Sequence, residues 1–417
     1  MRIAQIITQF PPNITAGLGR YIEEITPYLA ARHRLTVFTL NDGRLPVHER
    51  IDGVAVYRPM GRVLGALGRR RRLNRTRGTD FLLLGLMVVT SNWRYFLRLW
   101  GAGRDGRPDL VAVHDSTNFL AGLLCHYVLR LPVVLHIHTT EYGVDRGRGG
   151  LVRTVFAAIE RWLARVARRV VVPTPEVREQ LAAAGWDRSS IDVVCLGGTF
   201  ERLLAASGPA LDGLRAGSEA LRTRLGIPAG DPVLLFVGRL ERQKGIYQLL
   251  EAMPRIATAV PGLRLVIVGE GDHAGVRRIV AESGLDGRVL DSGGWVDRRA
   301  LLEYYEMADV CVFPSLFEPF GLVATEAMAL AKPTILGHGF SRVFLGDRDR
   351  PAVRFVRAAE PGDIARTVVE VMTDPDLRRA LAERGERLIR ERLSWARAAD
   401  ETLTVYKAAL RPAVSYG

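Results

Sequence analysis

The sequence VCVFPSLFEPFGLVATEAMA, residues 310–329, contains a short apolar run, a turn and a helical segment. The run Val310–Phe313 is β-branched and apolar, which is typical of a strand buried on both faces of a sheet. A Pro-Phe-Gly turn follows, and a helix is expected to begin near Leu322. Glu318 lies just before that helix start, and Glu326 lies more than one turn inside it, among Ala and Met. Charges are rarely buried without a partner, so the two carboxylates indicate a binding site.

The same strand–loop–helix pattern extends outward in both directions. The apolar runs are IAQIIT, RLTVFTL, DLVAVHD, PVVLHIH, RRVVVPT and IDVVCLGG in the first half, and PVLLFVGRL, LRLVIVGEG, RVLDSGG, DVCVFPS and PTILG in the second. Alternating strands and helices predict parallel sheets covered by helices on both faces. The pattern weakens between about Glu201 and Gly226, whose start is interpreted as an interdomain connection. We therefore predict an α/β protein with two Rossmann-like, doubly wound domains, residues 1–203 and 204–394.

Composition limits the classes of function. The 417 residues carry a net charge of +13, which suits an anionic substrate, an anionic membrane or nucleic acid. No block of basic residues alternates with aromatics as a nucleic-acid surface would, and scattered Arg from a GC-rich genome would give the same charge. Three isolated cysteines, the lack of a signal peptide and the lack of a membrane-spanning stretch predict a cytoplasmic protein.

Two cations follow another predicted strand, in VGRLERQKG. Arg239 and Lys244 are expected near the carboxyl end of this strand, which is the end where parallel sheets bind ligands. A guanidinium fork and an ammonium can together hold a diphosphate. The alternative is a solvated loop with two ordinary surface cations.

The helix start near Leu322 suits the rest of such a ligand. A helix N-terminus attracts phosphate, and Gly321 allows a close approach to the backbone. Glu318 can accept hydrogen bonds from hydroxyls, and Glu326 can bind two vicinal hydroxyls, as on a ribose. The alternative is a carboxylate that caps its own helix together with one that faces solvent.

Together, these motifs resemble the signature of a known enzyme family. GRL followed by KG, then PS-x-x-E-P-F-G-L-x-x-x-E-A-M-A, resembles the paired signature of family 4 glycosyltransferases, which have the GT-B fold of two Rossmann-like domains facing a cleft. The loop TAGLGRYIEEI resembles the family's glycine-rich first loop, and PVVLHIHTT carries a strand-end histidine. The resemblance covers nearly the whole chain, and it implies that a C-terminal helix, about residues 395–417, crosses back to the first domain.

The resemblance implies a role for each matching position. Arg239 and Lys244 would hold and stabilise the leaving diphosphate, Glu318 would bind the donor sugar, and His138 would face the reacting sugar. The remaining donor contacts would come from Gly17, Val296, Phe320, Gly321, Leu322, Val323 and Glu326.

Three positions depart from the family pattern. The usual Gly-Gly of the first loop is Ala16-Gly17, and the usual Asn-Gly-x-Asp reads Leu196-Gly197-Gly198-Thr199. Where the family has a glycine-rich segment after PTILG, this chain reads HGFSRVFLGDRDR, and we assign no role to residues 337–350.

The expected activity is that of a retaining glycosyltransferase, which moves a hexose from a nucleotide-diphosphate sugar, most often a UDP-sugar in this family, to an acceptor hydroxyl. A saccharide, a lipid and an aminocyclitol natural product all remain open as acceptors. The alternatives are a nucleotide-sugar epimerase of the same fold and a basic, non-catalytic module for membrane or nucleic acid; we expect no nucleic-acid partner. The oligomeric state is open.

We expect no cofactor and no metal. Asp347-Arg348-Asp349 spells a D-x-D, but it lies in a charged loop and does not follow a predicted strand as a metal-binding D-x-D would. His136 and His138 share one face of a strand while His114 is on another strand, so we expect one site histidine and two satisfied ones.

Residues 58–107 leave a further choice open. The Arg69–Arg72 run and NWRYFLRLW are compatible with peripheral contact with the inner face of a membrane, with Trp and Tyr at the interface. Because Gly and Asp interrupt the segment, the sequence favours the alternative of a loop and helix that cover the acceptor cleft.

Overall fold

A computed structural model describes residues 1–14, 17–41, 43–59, 78–138, 151–200 and 209–411. The chain divides into two compact units, Met1–Cys195 with Trp395–Gly417, and Leu196–Ser394. The sequence places the boundary at residue 203, eight residues later. The predicted fold class, two doubly wound parallel sheets with a final helix in the first unit, is confirmed.

The first unit contains an eight-stranded sheet in the order β3-β4-β2-β1-β5-β6-β7-β8, in which only β3 is antiparallel to its neighbour. Its strands are β1 (Arg2–Ile6), β2 (Arg34–Phe38), β3 (His48–Ile51), β4 (Val54–Tyr57), β5 (Leu110–His114), β6 (Val133–His136), β7 (Arg169–Val172) and β8 (Ile191–Val193). Its helices are α1 (Gly17–Ala30), α2 (Gly78–Gly101), α3 (Gly103–Gly106), α4 (Phe119–Tyr127), α5 (Leu151–Val166) and α6 (Pro175–Ala183). The β1, β5 and β6 runs are almost wholly buried, as expected for strands covered on both faces.

The second unit contains a six-stranded parallel sheet in the order β11-β10-β9-β12-β13-β14. Its strands are β9 (Val233–Val237), β10 (Arg264–Val268), β11 (Val289–Asp291), β12 (Val310–Phe313), β13 (Thr334–Gly337) and β14 (Arg354–Val356). Its helices are α7 (Pro209–Arg224), α8 (Ile246–Ala259), α9 (His273–Glu282), α10 (Arg298–Met307), α11 (Leu322–Ala329), α12 (Pro361–Thr373) and α13 (Pro375–Arg392).

The order of the second sheet reverses between β9 and β12. The chain steps outward from β9 through β10 to β11, then returns to the other side of β9 and continues through β12, β13 and β14. Such a reversal leaves a crevice at the carboxyl ends of the two strands, because their following helices leave on opposite sides. The loops after β9 and β12 carry the motifs that the sequence singles out.

The last helix, α14 (Trp395–Leu410), belongs to the first unit, where it packs on α1, β6 and β7. Residues 412–417 of the predicted helix lie outside the described residues. Helix α2 packs on α4, and α4 packs on α5. No helix among the described residues is long and apolar enough to cross a membrane.

The structure describes only part of the segment between Glu201 and Gly226. Residues 201–208 lie outside the described residues, but Pro209–Arg224 is helix α7 of the second unit and packs on α10. Ser218 and Leu221 are buried there. The sequence predicts an interdomain connection only at the start of this segment, which falls on residues 201–208, so that interpretation stays a prediction.

Candidate active site

Loops at the carboxyl ends of β9 and β12 are joined by backbone contacts. The Leu316 N–H donates to the Gln243 carbonyl (2.8 Å), and the Gln243 side-chain amide donates to the Phe317 carbonyl (3.2 Å). Gly245 has φ 74°, and a Cβ there would lie 1.9 Å from the Pro314 carbonyl oxygen. Only glycine allows the two loops to approach this closely.

A third loop, after β13, completes the same edge of the sheet. The Glu318 N–H donates to the Gly339 carbonyl (3.0 Å). Gly321 has φ 97°, and a Cβ there would lie 2.1 Å from the Phe340 ring. The segment after PTILG, which the sequence could not place, therefore supports the Glu318 loop. Gly339 and Phe340 are supporting residues that the sequence analysis missed.

Lys244 and Glu318 form an ion pair across the first two loops. Their Nζ and Oε2 atoms are 2.5 Å apart, and their side chains are only 18% and 11% exposed. Because β9 and β12 are neighbours, residues 74 positions apart meet where the strands end. The structure thus brings a cation and a carboxylate of the predicted site into contact.

Arg239 does not join this pair. Its side chain is 55% exposed, and its Nη2 lies 2.9 Å from Glu241 Oε1. It follows β9 as predicted, but its guanidinium pairs with its own loop.

Helix α11 begins directly after the Glu318 loop. Gly321 is its N-cap and, as a glycine, contributes no side-chain hydrogen bond. Leu322 and Val323 are the first two residues of the helix. Phe320 is buried and its ring lies 5.3 Å from that of Phe344, so only its backbone can face a ligand. The N-terminus of this helix, next to a cation, is suited to an anion.

Glu326 is more buried than the sequence suggests. It is 7% exposed, and the Tyr305 hydroxyl donates to its Oε2 at 2.8 Å. Burial and the Glu326 carboxylate raise the pKa of Tyr305 well above its usual value. From the sequence we expected the partner of Glu326 to be a sugar nucleotide. In the structure it already accepts a hydrogen bond from Tyr305 on α10.

Val296 lies half-buried between β11 and α10. The preceding Trp295 N–H donates weakly to Glu270 Oε1 (3.4 Å), which follows the neighbouring strand β10. Val296 is therefore at the same carboxyl edge of the sheet, two strands from the Lys244 loop.

The first unit carries a separate cluster at its own strand ends. His114 ends β5 and His136 ends β6, and the register of these parallel strands pairs the two residues directly. Their rings stack with centroids 4.5 Å apart, and His138 follows on the same face, 5.3 Å from His114. The prediction that His114 lies on a different strand from His136 is confirmed. The sequence analysis did not anticipate that β5 and β6 are neighbours, so that their register brings the three rings together.

Hydrogen bonds fix how the protons are arranged in this cluster. Gln5 donates to the Tyr406 hydroxyl (3.2 Å), which is also hydrogen-bonded to His136 Nε2 (2.9 Å). The Gln5 carbonyl oxygen then accepts from His114 Nε2 (2.5 Å). His114 Nδ1 is left to accept from His138 Nε2 (3.0 Å). His138 is thereby held with its Nε2 protonated and its Nδ1 unprotonated.

Burial favours the neutral form of all three imidazoles. Burial lowers the pKa of His138 to about 3 and holds the pKa values of His114 and His136 well below the usual range. Asp115, with φ 59°, accepts from the His138 backbone N–H (3.1 Å), and burial raises the pKa of its carboxyl to about 7.

Potential metal ligands occur in this cluster. One nitrogen from each histidine lies within 4.8 Å of the others. However, both ring nitrogens of His114 are already hydrogen-bonded, and so are those of His136, whose Nδ1 lies 3.5 Å from the Tyr21 hydroxyl. A metal would have to displace these bonds, so the arrangement fits a polar network better than a metal site.

The structure also describes two further positions that the sequence singles out. Gly17 is the exposed first residue of α1, and its neighbour Ala16 lies outside the described residues. The Asp347–Asp349 motif is in an exposed loop, where the Asp349 N–H donates to Asp347 (3.0 Å).

Comparison with known proteins identifies both halves of the chain. The family described as "Glycosyl transferases group 1" matches residues 217–388, and "Glycosyl transferase 4-like domain" matches residues 16–197. A glycogen synthase of Mycobacterium tuberculosis is 30% identical over 99% of this chain and 95% of its own length. A D-inositol 3-phosphate glycosyltransferase of Thermomonospora curvata is 28% identical over 94% of this chain and 90% of its own. Among solved structures, Anabaena HepE in complex with UDP and glucose has a TM-score of 0.71 at 16% identity, covering 98% of this chain and 100% of that one.

Proposed function

Because the chain belongs to the family 4 glycosyltransferases with the GT-B fold, we propose that it transfers a hexose from a UDP-sugar to an acceptor hydroxyl, with retention at the anomeric carbon. The observation that carries the proposal is the Lys244–Glu318 pair beside the N-terminus of α11. It places a cation, a carboxylate and free helix-end amides at one strand edge, which are the groups that a sugar diphosphate needs.

The leaving diphosphate gains negative charge as the glycosidic bond breaks. Lys244 and the α11 amides are positioned before the reaction to meet that charge, so they need no reorganisation. Arg239 would contribute only after turning away from Glu241, which its 55% exposure permits. The departing phosphate oxygen would take the acceptor proton, so the scheme requires no separate base.

Glu318 and Glu326 provide acceptors for sugar hydroxyls. The Glu318 backbone N–H donates to the Gly339 carbonyl and its carboxylate pairs with Lys244, so both the backbone and the side chain of Glu318 are held at the edge of the loop. Glu326 is fixed by Tyr305, and a ribose would have to share it with that hydroxyl. The ribose contact, the roles of Gly17 and Val296, and the approach of His138 to the reacting sugar are predictions that follow from the resemblance.

The acceptor is proposed only by class. Relatives named glycogen synthase and D-inositol 3-phosphate glycosyltransferase favour a saccharide or a cyclitol, and a lipid acceptor would bring the enzyme to a membrane surface. A cytoplasmic location agrees with three cysteines that are free thiols. We propose no cofactor and no resident metal, since Lys244 and the N-terminus of α11 would supply the positive charge that the diphosphate needs.

A thermal-shift panel of nucleotide sugars tests the proposal first. A ligand at 100 times its Kd stabilises the folded state by about 2.7 kcal/mol, so a UDP-sugar should raise Tm clearly and its GDP and ADP counterparts less. Release of nucleotide diphosphate with the winning donor then separates transfer from epimerisation, which releases none. Stabilisation by no nucleotide sugar would refute the proposed function.

A further inference from the structure

Large hydrophobic side chains that remain exposed are concentrated on one side of the first unit. In the described part of the chain eleven such side chains are exposed, and eight of them lie on or directly after helices α2, α4 and α5. These are Leu86, Val89, Trp93, Leu97, Trp100, Tyr127, Val128 and Trp162. Because α2 packs on α4 and α4 on α5, the eight belong to one helical layer. Single exposed hydrophobics are normal, but a concentration of this kind marks an interaction surface.

Five of them form a stripe along α2. Leu86, Val89, Trp93, Leu97 and Trp100, here called the apolar stripe, are spaced by 3, 4, 4 and 3 residues and are 39–57% exposed. At about 100° per residue they fall within about 80° of the helix circumference, over about 21 Å of its length.

The stripe is not the face that holds α2 to the protein. Tyr95, Phe96 and Leu99 are buried and join the core of the first unit. A surface helix normally buries one apolar face and presents a polar one to water. Here α2 presents a second apolar face that nothing in the described chain covers.

Positive charge accompanies the stripe. Arg94 and Arg98 are exposed beside it, and residues 85–101 contain no acidic residue. In the sequence, residues 61–77 add seven arginines and no acid. Arg165 and Arg168 are exposed near Trp162. Tryptophan and leucine with arginine at their edge are the residues of a helix that lies in the headgroup region of an anionic bilayer.

We propose that α2 lies in the plane of an anionic membrane surface, with the apolar stripe among the lipid headgroups and Arg94 and Arg98 against lipid phosphates. The stripe follows a single convex helix, so it fits a flat lipid surface better than the groove of a protein partner. Tyr127 and Trp162 extend the same layer as interfacial aromatics. This contact is independent of donor binding, so it can fail or hold separately from the proposed function.

Vesicle co-sedimentation of the full chain tests the proposal. We expect binding to vesicles with 30 mol% phosphatidylglycerol, weak binding to pure phosphatidylcholine, and a fall in binding as salt rises. Replacing both arginines by glutamine (Arg94→Gln, Arg98→Gln) should lower the partition coefficient on anionic vesicles about 25-fold, at about fivefold per arginine.

The Trp93→Gln, Trp100→Gln double variant should lower binding at least tenfold. Trp295→Gln is the matched control, since Trp295 is 49% exposed but lies in the second unit, and it should bind as the parent does. Thermal denaturation checks that each variant folds. The proposal would be overturned if the parent does not bind anionic vesicles, or if the Trp93→Gln, Trp100→Gln variant binds them as tightly as the parent does. A change of oligomeric state on stripe substitution without a change in vesicle binding would also overturn it, and would assign the stripe to a second copy of the chain.

Discussion

Replacing Lys244 by methionine should separate charge stabilisation from fold stability. Methionine keeps the length of the side chain and removes the ammonium that lies 2.5 Å from Glu318. If Lys244 meets the leaving diphosphate, its loss should lower kcat/KM for transfer on the order of 10²-fold, or about 2.7 kcal/mol of transition-state stabilisation.

The same substitution should also cost stability. A hydrogen bond to a charged group contributes about 1.5–3 kcal/mol. Because 18% and 11% of the two side chains remain exposed, we expect a loss of about 2 kcal/mol in the free energy of unfolding. Adding Glu318→Gln to Lys244→Met removes the unpaired carboxylate, so it should recover stability without recovering activity.

Lys332 provides a matched control. It is 15% exposed and its Nζ lies 3.6 Å from Glu306, but it precedes β13, at the opposite edge of the sheet. Lys332→Met should cost similar stability and leave kcat/KM within about threefold of the parent. The assay is nucleotide-diphosphate release under saturating acceptor, with urea unfolding in parallel. The reasoning would be refuted if folded Lys244→Met keeps a third of the parent's kcat/KM, or if Lys332→Met loses as much kcat/KM as Lys244→Met does.

Three further predictions follow from contacts in both units. Tyr305→Phe removes the donor to Glu326 and should raise the donor KM about tenfold with a smaller change in kcat; an unchanged KM in steady-state kinetics would count against a ribose role. Gly321→Ala should lower the free energy of unfolding by at least about 1 kcal/mol more than Gly284→Ala, since both have positive φ but only Gly321 meets a ring; urea titrations compare them, and equal losses would contradict this. Asp115 binds a proton in the folded state that the unfolded state releases between about pH 4 and pH 7, so its contribution to stability falls as pH rises through that window. Asp115→Asn, compatible with positive φ, should therefore gain stability relative to the parent between pH 5 and pH 7, by up to about 2.7 kcal/mol, with little further gain above pH 7. A constant difference in denaturation midpoints would show that Asp115 does not titrate there.

Sequence reasoning located the second-unit strand ends because they depend on local patterns. Buried apolar runs end at Val237 and Phe313, and parallel neighbours must end at the same edge. From that rule alone, Lys244 and Glu318 could be expected to approach each other. The particular ion pair could be inferred only once β9 and β12 were known to be adjacent.

Other contacts depend on tertiary packing that no local pattern reports. Tyr305 reaches Glu326 from a helix that begins before β12, and nothing in its own stretch distinguishes it from a core tyrosine. His114 could have been found, because residues that end neighbouring parallel strands lie side by side. The Tyr406 hydroxyl could not, since it arrives 270 residues after His136.

Helix α14 also sets an order of assembly during translation. The second unit, Leu196–Ser394, is continuous, so all of it is synthesised before α14. Most of the first unit is synthesised earlier, but it lacks Trp395, which is fully buried, and Tyr406 until the whole second unit has been made. A chain truncated after Ser394 would therefore keep the whole second unit but leave the α1 face and the histidine network of the first unit open to solvent, so a truncation that removes α14 should destabilise the first unit.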